Sequence, residues 1–91
     1  METIEATFEV INELGLHARP VSRLVQTAAR FKSEVQVERE GQVANGKSVM
    51  GVLMLCCPKG STITVRATGP DAQAALEAIG ELARQRFGDP R

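Results

Sequence analysis

The chain contains a single histidine, in the segment Gly15-Leu16-His17-Ala18-Arg19-Pro20, and its neighbours indicate the beginning of a helix. Gly15 allows the backbone to turn. Pro20 is tolerated in a first helical turn, where its missing N–H costs nothing. Apolar residues then recur at helical spacing, at Val21, Leu24, Val25 and Ala28. His17 is therefore predicted to lie at, or just before, a helix N-terminus.

This placement indicates phosphoryl chemistry. The first turn of a helix has unpaired backbone N–H groups and attracts anions, and Arg19 adds a permanent positive charge. An imidazole, with a reference pKa of about 6.5, is a usable nucleophile near neutral pH. The combination predicts a phosphoryl group carried on His17 and stabilised by Arg19. The alternative is a solvated helix-capping histidine beside an ordinary surface arginine.

A second candidate site surrounds Ser48. Its hydroxyl is predicted to cap a short helix that extends to about Leu55. A short helix cannot bury all its faces, so part of its apolar surface is predicted to form a docking patch, with core burial as the alternative for each residue. The patch comprises Val49, Met50 and Leu53, with Met54 as a further candidate.

These segments resemble those of a known family. Residues 15–20 match, at all six positions, the active-site signature of the HPr family, the histidine phosphocarriers of the bacterial phosphotransferase system. Residues 45–51 resemble the family's regulatory serine segment. Lys59-Gly60 and Gly69-Pro70-Asp71 also fit, so the resemblance spans about residues 3 to 87.

The resemblance implies a function and partners. A phosphoryl group would pass from Enzyme I to Nδ1 of His17, and then to a histidine of an EIIA-type protein. An HPr kinase/phosphorylase would act on Ser48, a role that is compatible with capping; the alternative is that Ser48 is only a helix cap. The protein would be a monomeric, stoichiometric carrier rather than an enzyme, with no metal or organic cofactor. Cys56-Cys57-Pro58 and Leu53-Met54-Leu55 mix features of the family's sugar and nitrogen-related branches, which leaves the acceptor open.

Two other functions remain as alternatives. The first is a purely regulatory protein-binding module controlled by phosphorylation of Ser48, although such a module has no need of His17 and Arg19. The second is a small-molecule-binding domain, for which the sequence contains no glycine-rich ligand loop or cluster of polar pocket residues.

Alternating and helical patterns predict an α+β fold. One-sided strands are expected over residues 3–11, 34–38 and 62–68, and a tight turn at Glu40-Gly41 joins the second of them to a short strand over residues 42–45. Long helices are expected over residues 18–31 and 71–87. Three helices should cover one face of a four-stranded antiparallel sheet. The patterns alone do not exclude a ferredoxin-like arrangement, whereas the resemblance implies an open-faced β-sandwich with strand order first, fourth, second, third. Residues 88–91 are expected to be a frayed tail.

The composition of the chain argues against several other classes of protein. The 91 residues are expected to form one domain, residues 1–91. A net charge of zero and three aromatic residues argue against nucleic-acid binding. No apolar run suits a membrane helix, and the acidic N-terminus is unlike a signal peptide, which favours the cytoplasm. The adjacent Cys56 and Cys57 cannot form an unstrained disulfide or a zinc site, so we expect two reduced thiols, one of them in the core, with a redox role as the alternative.

Overall fold

The computed structural model describes residues 2–90, which form a four-stranded antiparallel sheet and three α-helices. In chain order the elements are β1 (Thr3–Glu9), α1 (Ala18–Ala29), β2 (Glu34–Arg39), β3 (Gln42–Asn45), α2 (Val49–Leu53), β4 (Thr62–Thr68) and α3 (Ala72–Arg84). A short 3-10 turn, Arg86–Gly88, follows α3. All the predicted elements are present, and their ends differ from the predicted ends by two or three residues at most.

The strands lie in the order β1-β4-β2-β3, so β4 and β2 are central. Ala67 of β4 pairs with Ile4 on one side and with Val35 on the other. This order is the one that the family resemblance implied, and it decides against the ferredoxin-like alternative.

Each strand turns one face towards the helices, as the alternation predicted; this face is buried in the two central strands and partly buried in β1. Val35, Val37, Ile63, Val65 and Ala67 are buried beneath the helices. The opposite face of the sheet is open to solvent and carries polar side chains. Arg66 lies at its centre and bridges Glu5, at 2.9 Å, and Glu38 on the two neighbouring strands. Cross-strand ion pairs of this kind suit an exposed sheet face, where each contributes little to stability.

The helices complete the core from one side. Helix α1 buries Pro20, Val21, Leu24 and Ala28, whereas its charged residues Arg19 and Arg23 are exposed. Helix α3 buries the small and aliphatic residues Ala72, Ala75, Leu76, Ile79, Gly80 and Ala83. The short helix α2 contacts α1, which brings the surface after Ser48 next to the helix that begins after His17.

The prediction of a frayed C-terminal tail was wrong. Phe87 is fully buried, and Asp89 is only 4% exposed. Burial of a phenylalanine side chain typically stabilises a fold by about 1.5–3 kcal/mol, which is enough to hold a short terminal segment against the domain. Residue 91, the last of the predicted tail, lies outside the described residues.

Candidate functional site

The loop before α1 lies against the loop that contains Cys57 and Pro58, and a glycine allows this close approach. Gly15 has a φ of +67°, and a Cβ at this position would lie 2.4 Å from the carbonyl oxygen of Cys57. The next residue, Leu16, donates its backbone N–H to that carbonyl at 2.8 Å. Any other residue at position 15 would therefore be strained and would push the loops apart. This close approach fixes the backbone immediately before His17.

His17 is the N-cap residue of α1, as predicted. Its backbone is extended, with φ −84° and ψ −168°, and its side chain makes no capping hydrogen bond. Its carbonyl accepts the first helical bond, from Val21 at 3.1 Å. The ring is therefore not used to stabilise the helix, and 38% of the side chain is exposed. Two N–H groups of the first turn, those of Ala18 and Arg19, precede the first helical donor and face the same end of α1.

The ring contacts a carboxylate that the sequence analysis did not select. Nε2 of His17 lies 2.7 Å from Oδ2 of Asp89, 72 positions later in the chain. An ionised carboxylate only accepts hydrogen bonds, so Nε2 carries the proton and donates it. The neutral ring then has its lone pair on Nδ1, and no hydrogen bond to Nδ1 is found within residues 2–90.

Arg19 occupies the first turn of α1 and is exposed. Its guanidinium makes no hydrogen bond or ion pair with the residues that the structure describes. The backbone places Arg19 at the same helix end as His17. An exposed guanidinium keeps all its donors available for an incoming anion.

Ser48 is the N-cap of α2, as predicted. Its Oγ accepts a hydrogen bond from the backbone N–H of Gly51 at 3.0 Å. Beyond it lies an apolar surface: Val49, Met50 and Met54 are 37%, 68% and 71% exposed, and Leu53 is partly buried against the core. Three of the four residues are therefore exposed at the surface rather than buried in the core.

The two cysteines have different environments. Cys56 is exposed and Cys57 is buried, which confirms the expectation of free thiols with one in the core. Burial raises the pKa of the Cys57 thiol, and the nearby positive charge of Arg39 opposes part of that rise. Within residues 2–90 there is no group of three or more side chains suited to hold a metal ion.

Sequence reasoning missed the C-terminal part of the site. The signal was Phe87, a large apolar residue at the predicted end of the last helix and directly before the predicted tail, which indicates an anchored segment rather than a frayed one. Asn12, in the loop between β1 and α1, is also part of this arrangement: its side chain is fully buried, and its amide donates a hydrogen bond to the backbone carbonyl of Arg86. No helix in the part of the chain that the structure describes has the length and apolarity to cross a membrane.

Comparison with known proteins places this chain among phosphocarriers. A family model described as the PTS HPr component phosphorylation site matches residues 4–85. The phosphocarrier protein HPr of Cupriavidus necator is 46% identical over 80 residues, which cover 88% of this chain and 90% of that protein. HPr of Neisseria meningitidis serogroup A is 42% identical over 86 residues, covering 94% and 97% respectively.

The fold agrees with these sequence matches. The crystal structure of HPr-C-His from Thermoanaerobacter tengcongensis superimposes with a TM-score of 0.91 at 38% identity, and the match covers 97% of this chain and 99% of that one. The chain belongs to the HPr family, and it is a phosphoryl carrier of a phosphotransferase system.

Proposed function

We propose that His17 is the residue that carries the phosphoryl group, through Nδ1, and that Arg19 stabilises the phosphoryl oxygens. The observation that supports this assignment most directly is the state of the ring. His17 is half-exposed at the beginning of α1, its Nε2 is bonded to Asp89, and Nδ1 has no hydrogen bond within residues 2–90. A phosphoryl group on Nδ1 would lie beside the unpaired amides and partial positive charge of the helix N-terminus.

A carrier must hold its phosphoryl group weakly enough to pass it on. A helix N-terminus stabilises a negative charge by about 0.3–1 kcal/mol, and by up to ~2 kcal/mol in favourable geometry. Arg19 is exposed, so its contribution is screened by solvent. These modest interactions suit a group that arrives from one protein and leaves to another, because tight ground-state binding would slow the onward step.

The donor in this proposal is Enzyme I and the acceptor is an EIIA-type protein. The docking patch of Val49, Met50 and Leu53, on the helix that contacts α1, offers apolar surface near His17 to both. The protein acts stoichiometrically, as a monomer in the cytoplasm, without turnover of small substrates and without a cofactor. Exposed methionine side chains adapt to partners of different shape.

Ser48 is a second, regulatory phosphorylation site in this proposal, modified by an HPr kinase/phosphorylase. Its hydroxyl lies at the N-terminus of α2, immediately before the docking patch. A phosphoryl group there would interfere with partner docking. The alternative function, a regulatory module controlled by Ser48 alone, uses the same site but assigns no role to His17.

The test is phosphorylation with Enzyme I and phosphoenolpyruvate, followed by mapping of the modified residue by mass spectrometry. We expect one phosphoryl group on His17, labile in acid and stable in base as a phosphoramidate is. His17→Ala should lose the label. The ring makes no capping bond, and a thermal melt establishes that the fold survives the loss of its contact with Asp89. Ser48→Ala is the matched control and should be labelled like wild type. Label retained by His17→Ala would refute the assignment.

A further inference from the structure

The carboxylate that binds the His17 ring comes from outside the part of the chain shared with the family model. That model matches residues 4–85, whereas Asp89 lies four residues beyond its end. The contact is nevertheless part of a buried arrangement: the Asp89 side chain is 3% exposed, and its Oδ2 is 2.7 Å from Nε2 of His17.

The C-terminal segment is held in an unusual backbone conformation that delivers this carboxylate. Arg86 and Phe87 both have left-handed φ values, +54° and +53°, which are unfavourable for residues with a side chain. Two contacts hold them there: Phe87 is fully buried, and the side-chain amide of the buried Asn12 donates to the carbonyl of Arg86 at 2.7 Å. Strained residues persist only where the surroundings fix them, and such residues are concentrated at functional sites.

We propose that Asp89 is a positioning residue for His17. Its carboxylate accepts a hydrogen bond from the Nε2–H, holds the ring in the tautomer whose lone pair is on Nδ1, and orients that lone pair towards the donor. This inference rests on the proposed role of His17 as phosphoryl carrier. A carboxylate hydrogen-bonded to one ring nitrogen is a general means of selecting the reactivity of the other.

The hydrogen bond from His17 to Asp89 also places a negative charge beside the positive charge that the ring acquires during the reaction. The Nδ1 lone pair forms a bond to phosphorus, and the bond between phosphorus and the donor's leaving atom breaks with its electron pair staying on the donor. The ring of His17 keeps its Nε2 proton and becomes a positively charged phosphoimidazolium, whose charge faces the Asp89 carboxylate. In onward transfer the bond from Nδ1 to phosphorus breaks, and its electron pair returns to Nδ1. Because the proton stays on Nε2 throughout, the ring remains a good leaving group.

The experiment measures the tautomer and the transfer rate in the same variants of the full chain. ¹⁵N chemical shifts of the His17 ring at about pH 8.5, where imidazole is ordinarily neutral, report the populations of the two N–H forms. Single-turnover transfer from phosphorylated Enzyme I reports the rate. The variants are Asp89→Asn, which keeps the shape, Asp89→Ala, and Asp89→Glu, which keeps the carboxylate. Glu77→Gln is the matched control, since this carboxylate of α3 is exposed and bonds to Gln73.

We expect wild type and Glu77→Gln to hold the Nε2–H form and to transfer at the same rate. Asp89→Asn and Asp89→Ala should gain the Nδ1–H form and transfer about tenfold more slowly, the scale expected for loss of one charge-assisted hydrogen bond. Asp89→Glu should recover part of both properties. Thermal melts and the NMR signals of Phe87 establish that each variant is folded.

The inference and the proposed function fail in different ways. Unchanged tautomer populations in Asp89→Asn and Asp89→Ala would overturn the role of Asp89, whatever the rate, while phosphorylation of His17 would stand. A wild-type rate despite an altered tautomer would overturn it equally. Absence of phosphoryl transfer to His17 in the wild-type protein would instead refute the proposed function itself.

Discussion

The hydroxyl of Ser33 donates a 2.6 Å hydrogen bond to Oδ1 of Asp71, and the two residues join the turn after α1 to the beginning of α3. The same carboxylate accepts the backbone N–H groups of Lys32, at 3.0 Å, and Ser33, at 2.9 Å. It is the N-cap residue of α3 but makes no side-chain capping bond there, because its oxygens are used by the other segment. Three donors on one carboxylate favour its ionised form.

We predict that Asp71 makes stability depend on acid pH. The hydrogen bond from Ser33, followed by that from the Lys32 backbone, lowers the pKa of Asp71 from 3.8 to about 2. The folded state therefore binds fewer protons than the unfolded state between these values, so the stabilisation is complete above pH 3.8 and is lost as pH falls towards 2. Urea unfolding measured between pH 5 and pH 2 should show a shallower decline for Asp71→Asn than for wild type.

Ser33→Ala supplies the control for this prediction. It removes the largest cause of the lowered pKa while leaving the carboxylate in place, so its pH profile should lie between those of wild type and Asp71→Asn. Parallel profiles for all three proteins would show that Asp71 is not responsible.

Local sequence patterns predicted the elements and much of the site. Gly15 and Pro20 located the beginning of α1, and hence His17 as its N-cap. Alternation predicted which strand residues face the core, because strand side chains point to opposite faces in turn. The strand order was predicted from the family resemblance, because alternation indicates which face of a strand is buried but not which strand lies next to it.

The contact between His17 and Asp89 was beyond the reach of these patterns. It joins residues 72 positions apart, and it depends on left-handed backbone at Arg86 and Phe87, for which neither residue has a preference. The segment after α3 contains Gly88 and Pro90, which usually mark irregular structure. Only tertiary packing of Phe87 turns this segment into part of the site.

The two cysteines should differ in reactivity. The thiolate is the reactive form, and burial both shields Cys57 and raises its pKa, whereas Cys56 is exposed. Iodoacetamide treatment of the folded protein should modify Cys56 at least about tenfold faster than Cys57. Peptide mapping by mass spectrometry measures both rates, and Cys56→Ser should remove the fast phase. Equal rates in the folded protein, with both thiols matching their rates in urea, would contradict the burial of Cys57.

Arg19 should accelerate phosphoryl transfer through its charge and its planar donors. We expect Arg19→Ala to slow transfer from Enzyme I by about tenfold, less than the ~100-fold loss typical of a buried donor to a developing oxyanion, because Arg19 is exposed. Arg19→Lys keeps the charge but not the two-donor geometry, so its rate should be intermediate. Arg30→Ala is the matched control, an exposed arginine at the other end of α1. Rapid-quench measurements of phosphoryl transfer from Enzyme I to the protein, and in the reverse direction, measure the effect. Wild-type rates for Arg19→Ala would show that Arg19 is only a surface residue.

Phosphorylation of Ser48 should weaken partner binding without unfolding the protein. Phosphate adds about −1.5 to −2 charges at neutral pH. The positive end of α2 partly stabilises that charge, so the melting temperature should be kept or slightly raised. The same charge lies directly before Val49 and Met50, and burying it in an apolar interface is costly. Titration of Enzyme I with phosphorylated protein should therefore show weaker binding and slower transfer to His17.

Three variants separate the charge of the phosphate from the loss of the cap. Ser48→Asp should reproduce part of the weakening, with less charge and fewer acceptor oxygens. Ser48→Ala loses the bond to Gly51 and about 1 kcal/mol of stability, but should transfer normally. Gln36→Glu adds a negative charge on the open face of the sheet, away from the docking patch, and should leave binding unchanged. If phosphorylated protein binds Enzyme I as tightly as unmodified protein, or loses its fold, Ser48 acts only as the cap of α2.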